Sequence, residues 1–353
     1  MPTVTNRLSI LFRCDASPKI GLGHVVRCLA LADELHQNHG AAVGFAMRAS
    51  SPGSEMVKRQ AYPILQPSDG GGFDHEAWLN DCMRQSEAQV LVVDVRDDLP
   101  KAALDALAGR GVVIAVLDDL SERRWAANFA FYPPVPQVQR ADWSGFRGRL
   151  CVGWEWVVLR SQFAESFPPR HNSKRSSSLS LLIAMGGSDP AGLTLKAVRA
   201  VDRLDEDFES VIIVGAGFCH WQSLQPLLGK ARRRFTVRED VSEMSAAMAE
   251  ADLAICSFGM TAYELAAMGV PAVYACLTED HEESASALAA AGMGLSVGVN
   301  DQDTETRLAA AVERLLVDKN ARAQMSARAR ELVDGRGTSR IAELLVSAAA
   351  ARR

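Results

Sequence analysis

The chain has 353 residues, of which 48% are apolar, 23% charged and 6% aromatic, a globular mix that rules out dominant disorder or a collagen-like repeat. Thirty-eight basic residues against 43 acidic ones leave a formal charge of −5, a balance that argues against a chain built to coat nucleic acid. At ~150 residues per domain the length accommodates two to three domains.

From Leu8 to Phe12 a short apolar run predicts the first strand, followed by a helix from about His24. That helix carries Val25, Cys28, Leu29, Ala32 and Leu35 on one face and stops before Gly40. Further strands are expected at Val43–Met47, Val90–Asp94 and Val112–Asp118, the last two as continuous apolar runs ending in acids. Such runs, without alternation, belong to strands buried on both faces of a parallel sheet. Around Ser166–Ser180 the composition turns polar and Pro/Ser-rich, which reads as a linker. The rhythm then restarts with strands at Ser180–Met185, Val211–Val214, Leu253–Cys256 and Ala272–Cys276. A helix runs from Thr261 to Met268, an amphipathic one from Ser284 to Ala291, and helical sequence dominates after Thr304. The expected architecture is α/β, with two Rossmann-like doubly wound domains facing a central cleft and ligands at the carboxyl ends of the strands. The expected boundaries are 1–167 for the first domain, 168–179 for the linker and 180–353 for a second domain with a helical tail.

No apolar run reaches the ~18–20 residues of a membrane span, and residues 1–12 lack the pattern of an export signal. Seven scattered cysteines without a CxxC pair predict buried, reduced thiols rather than a disulfide framework or zinc site. The expectation is a cytoplasmic chain with no membrane span and no nucleic-acid partner.

Three loops stand out. In Gly21-Leu22-Gly23-His24, glycines precede a helix whose free N–H groups would face an anion. The third glycine of a dinucleotide fingerprint is replaced by Val26, and the Lys-Ser/Thr of a P-loop is absent. His24 is the candidate general base, against the plainer reading of a structural or exposed histidine. Arg13, Asp15 and Ser17 follow the first strand and would rim the same opening, with loop hydrogen bonding and capping as the alternative. In the second loop, Gly186-Gly187-Ser188-Asp189-Pro190, phosphate contact and an ordinary turn with a helix cap compete. In the third, Ser257-Phe258-Gly259-Met260-Thr261 leads from a strand into a helix and offers an anion site. Glu264, one turn into that helix, suits two ribose hydroxyls.

Asp205-Glu206-Asp207 and Asp301-Gln302-Asp303 match the letters of a metal-binding DxD, yet read as solvated loops or helix starts. Asp118-Asp119 reads as a strand-end capping pair, Glu279 to Glu283 as acids at a helix N-terminus, and Arg232-Arg233-Arg234 as a surface face. No metal and no cofactor is expected.

Together these stretches resemble the family of the UDP-sugar hydrolase of pseudaminic acid biosynthesis and its spore-coat polysaccharide relatives. The resemblance runs from about Ile10 to Gly294. It is carried by Arg13-Cys14-Asp15-Ala16-Ser17, Gly21 to Cys28, Asp118-Asp119, Leu159 to Phe163, Gly186 to Pro190 and Glu264 to Pro271. The C-terminal half also looks like the peptidoglycan N-acetylglucosaminyl transferase, a GT-B enzyme. The resemblance implies a GT-B fold and a UDP-sugar substrate. Glu264 would lie on the ribose, while Gly186, Gly187 and Ser188, with Ser257, Gly259, Met260 and Thr261, would lie at the nucleotide. It makes His24 the base that activates water at the anomeric carbon, with inversion. Asp15 joins it as catalytic, and Arg13, Gly21, Gly23 and Arg27 form a sugar/phosphate loop.

Three positions depart from the pattern. Asp94-Val95-Arg96 stands where the hydrolases carry Asp-x-Tyr, Ser257-Phe258-Gly259 replaces a Gly-Gly pair, and Asp280-His281 replaces Asn-Gln. The leading expectation is hydrolysis of a UDP-linked acetamido-deoxy sugar for nonulosonic acid or surface-glycan synthesis, in the company of other glycan-pathway enzymes. The alternatives are a GT-B glycosyltransferase and a non-catalytic nucleotide-sugar-binding protein.

Overall fold

Ile10, Leu11 and Phe12 are fully buried in consecutive positions, as are Val90 to Val93 and Ile114 to Val116. Side chains that alternate across a strand can all be buried only when both faces of the sheet are covered. The computed structural model describes residues 7–16, 21–48, 52–67, 73–164 and 178–352. Ser17 and most of the expected linker lie outside the described residues.

By contacts the chain divides into two units. Unit 1 comprises Met1–Pro134, Val138–Ser161 and Arg336–Arg353; unit 2 comprises Val135–Gln137 and Gln162–Gly335. In unit 1, seven parallel strands are β1 (Ser9–Cys14), β2 (Ala42–Ala46), β3 (Ile64–Leu65), β4 (Val90–Asp94), β5 (Val113–Leu117), β6 (Phe129–Tyr132) and β7 (Arg149–Val152). They lie in the order β3-β2-β1-β4-β5-β6-β7. The helices are α1 (Gly23–Gln37), α2 (Pro52–Arg59), α3 (His75–Ser86) and α4 (Lys101–Gly109), with the short α5 (Pro136–Arg140) at the boundary between units. Because β1 pairs with β2 on one side and β4 on the other, the order reverses at β1/β4.

Unit 2 has six parallel strands: β8 (Leu179–Ala184), β9 (Phe208–Val214), β10 (Phe235–Glu239), β11 (Leu253–Ser257), β12 (Ala272–Cys276) and β13 (Gly294–Val299). Their order is β10-β9-β8-β11-β12-β13, so this sheet reverses at β8/β11. Its helices are α6 (Leu193–Asp202), α7 (Trp221–Lys230), α8 (Met244–Ala249), α9 (Met260–Ala267), α10 (Glu279–Ala290), α11 (Thr304–Val317) and α12 (Lys319–Leu332). The expected start of α10 at Ser284 moves back to Glu279: Thr278 caps it, and the acids fill its first turn.

The last helix, α13 (Gly337–Ala350), lies within the expected 180–353 segment but is built into unit 1, as a helical tail crossing back to the first domain would be. Ile341, Ala342, Leu345 and Ala349 join the cluster that holds Leu31 and Leu35 of α1. At its start, a Cβ on Gly337 would stand 2.2 Å from the Val157 carbonyl oxygen, so the approach requires glycine. Thr338 Oγ1 accepts from Leu159 N and donates to Leu159 O. The cysteines are free, six buried and Cys219 exposed. Among the described residues, no helix is long and apolar enough to cross a membrane.

Candidate functional site

In open α/β sheets ligands bind beyond the strand carboxyl ends where the strand order reverses. In unit 1 that point is the end of β1 and β4, and α1 enters it. The first turn of α1 carries no acid, and its N-cap residue, Leu22, makes no side-chain cap. Backbone N–H groups at this end have no intrahelical partner. Gly21, at φ +76°, makes the preceding turn.

His24 Nδ1 lies 2.6 Å from Asp94 Oδ1. Arg27, one helical turn on, grips the same carboxylate with both arms: Nε to Oδ2 and Nη2 to Oδ1, each at 2.7 Å. Asp94 is completely buried. Burial pushes its carboxyl up, but Arg27 and His24 together outweigh this and hold it below the usual carboxylate range. Burial also pushes the nearby Cys28 thiol well up. Arg27 further reaches Asp118 Oδ2 at 3.5 Å, and Arg96 donates to that oxygen at 3.1 Å. Arg96, at the position where the resemblance led to the expectation of a tyrosine, is an exposed cation tied to Asp118.

Two expected members of this site take other places. Arg13 is entirely buried rather than poised for a phosphate. Its guanidinium lies over Trp78 and is held by Asp15 and Asp97, with further bonds to the Cys14 and Ala46 carbonyls. A buried guanidinium requires counter-charge and acceptors, and Asp15 is one of them. Asp15 Oδ2 receives Arg13 at 2.6 Å while Oδ1 accepts Arg48 N at 2.9 Å. The carboxylate on His24 is Asp94. A histidine with two acids, His75, Asp97 and Asp98, could hold a metal ion by distance. Its carboxylates are already paired with Arg13 and Arg48.

In unit 2 the reversal point lies between the ends of β8 and β11, and it brings two expected loops together: a Cβ on Gly186 would lie 3.6 Å from Ser257 Oγ. Gly186 and Gly187 are exposed and Ser188 half-buried. The neighbouring α6 is not an anion seat, because the buried Asp189 carboxylate accepts from Leu193 N and Thr194 N, both at 2.8 Å. Burial raises its pKa. Asp189→Ala is expected to lower stability by about 1–2 kcal/mol, the worth of a strong helix cap; urea unfolding measures it.

α9 differs. Gly259 makes no side-chain cap and the first turn holds no acid, so Met260 and Thr261 open onto an uncapped end. Glu264, one turn further, is 4% exposed. Of the discounted signals, Asp301 pairs with Arg307 and Asp205 with Arg232. Arg233 departs from the surface reading: it lies 3.6 Å over the Phe208 ring and donates to the carbonyls of Leu204, Glu206 and Phe208.

A family model described as the glycosyltransferase family 28 C-terminal domain matches residues 181–344. The spore coat polysaccharide biosynthesis protein SpsG of Bacillus subtilis is 27% identical over 56% of this chain, which spans 58% of that protein. The UDP-N-acetylglucosamine–N-acetylmuramyl-(pentapeptide) pyrophosphoryl-undecaprenol N-acetylglucosamine transferase of Acidithiobacillus ferrooxidans is 26% identical over 93% of this chain and 95% of its own. The crystal structure of MurG from Acinetobacter baumannii superposes with a TM-score of 0.71 at 19% identity, covering 96% of this chain and 99% of that one. The fold is GT-B. The match to the family 28 domain covers most of unit 2 and runs into α13 of unit 1.

Proposed function

We propose that this chain is a glycosyltransferase that moves a sugar from a nucleotide donor, a UDP-sugar first among the candidates, to an acceptor hydroxyl. The observation that carries the reading is His24 at the reversal point of the unit 1 sheet, its ring held by a buried carboxylate. His24 takes the acceptor proton, and the freed oxygen attacks the anomeric carbon from the face opposite the nucleotide. The bond to the leaving phosphate oxygen breaks with its electron pair on the nucleotide, and the configuration inverts. The nucleotide is assigned to unit 2. The uncapped start of α9 and the Gly186–Ser188 loop suit its phosphates, and Glu264 suits its ribose. Transfer is preferred to hydrolysis because a relative matched over 95% of its length is named a transferase and the matched family model is a glycosyltransferase domain.

The test is nucleotide release from UDP-, GDP-, CMP- and dTDP-sugars with and without hydroxyl acceptors. Release that requires an acceptor supports transfer. Stoichiometric release in water alone establishes hydrolysis instead, and binding without turnover leaves a non-catalytic role. Glu264→Gln keeps shape while removing one charged acceptor. It is expected to weaken UDP binding by roughly 10- to 100-fold, as for a charge-assisted hydrogen-bond pair, measured by titration calorimetry.

A further inference from the structure

We infer that Asp94 is a positioning residue that dictates which nitrogen of His24 carries the proton, and that Arg27 serves that carboxylate rather than a ligand. The inference rests on His24 being the base proposed above. An ionised carboxylate can only accept hydrogen bonds. Asp94 is ionised: it is buried against a permanently charged guanidinium that contacts both of its oxygens. The short contact to His24 Nδ1 therefore requires Nδ1–H, and the neutral ring keeps its lone pair on Nε2, the nitrogen left to receive a proton.

The arrangement follows from the backbone. Cys14 and Asp94 are register partners at the ends of β1 and β4. His24 and Arg27 are spaced i, i+3, which puts them on one face of α1. A single carboxylate at that strand end can thus be reached by both. The two-armed grip stops the carboxylate from rotating, and Asp118 provides Arg27 with a second anchor. Asp15 does not fill this role: its oxygens meet Arg13 and the Arg48 backbone, while the carboxylate on the His24 ring is that of Asp94.

Nitrogen-15 spectra of the histidine-labelled full chain in mildly alkaline buffer are expected to show His24 as the Nδ1–H tautomer. A dominant Nε2–H form overturns the inference, whatever the enzyme does. Asp94→Asn is expected to lower kcat by ~10²–10⁴ through the wrong tautomer with the nucleotide Kd unchanged. A folded variant with full kcat also overturns it. If the variant fails to fold, because Arg27 is left buried without its partner, the wild-type spectrum decides. Absence of turnover in the wild type with every donor and acceptor defeats the transferase reading and leaves the tautomer measurement standing.

Discussion

Replacing His24 with Asn is expected to lower kcat for sugar transfer by ~10²–10⁴, the worth of a positioned general base, with little change in nucleotide affinity. Asn is chosen because its amide N–H₂ can still donate to Asp94, so the buried carboxylate keeps a partner and Arg27 its counter-charge. What disappears is the outward ring nitrogen. Steady-state kinetics with saturating donor, beside UDP calorimetry, separate the two effects: a retained kcat removes His24 from the chemistry. The Asp94–Arg27 pair also has a pH consequence. Its carboxyl is held below the ordinary value near 3.9, so the pair stabilises unit 1 above that pH and the contribution is lost as pH falls through the lowered value. The latch therefore holds throughout the neutral range.

Removing residues 337–353 is expected to abolish cooperative unfolding of unit 1. The last helix supplies four side chains to the cluster formed with α1, and the ends of that helix are tied to Leu159 and, through Arg352, to the Gly111 and Val112 carbonyls. Without it, the face of α1 around Leu31 and Leu35 meets water. A point variant gives the same answer more gently. Leu345 is fully buried, and Leu345→Ala is expected to cost about 2–5 kcal/mol, the range for a deleted core leucine. Differential scanning calorimetry reads both: a truncated chain that keeps every transition of the intact protein refutes the assignment of α13 to the unit 1 core.

Much of this was legible residue by residue. The strands Val90–Asp94 and Ala272–Cys276 have the limits that their apolar runs predict, since a strand buried on both faces needs an uninterrupted run. Gly21 and Gly23 ahead of a 3.6-residue pattern marked the start of α1, and with it His24. Arg13 carries a signal of its own burial. A lone arginine continuing the run Ile10-Leu11-Phe12 must share the burial of its strand, and hence needs carboxylates of its own. Arg233 differs: it lies outside any strand, half-buried over Phe208, and its guanidinium is met by backbone carbonyls, a placement that its charged neighbours Arg232 and Arg234 conceal.

Local preference and apolar periodicity act over a few residues, and they were enough to set the α/β class, most of the strand positions and the loops where chemistry could occur. The partner of His24 was beyond their reach, because Asp94 lies 70 positions away and meets the ring only when β4 pairs beside β1. The same holds for the pairing of Arg13 with Asp97, the bond from Arg48 N to Asp15, and the return of α13 to unit 1. Each depends on which buried charge or apolar face finds its complement in three dimensions, and strand order, not chain order, determines that choice.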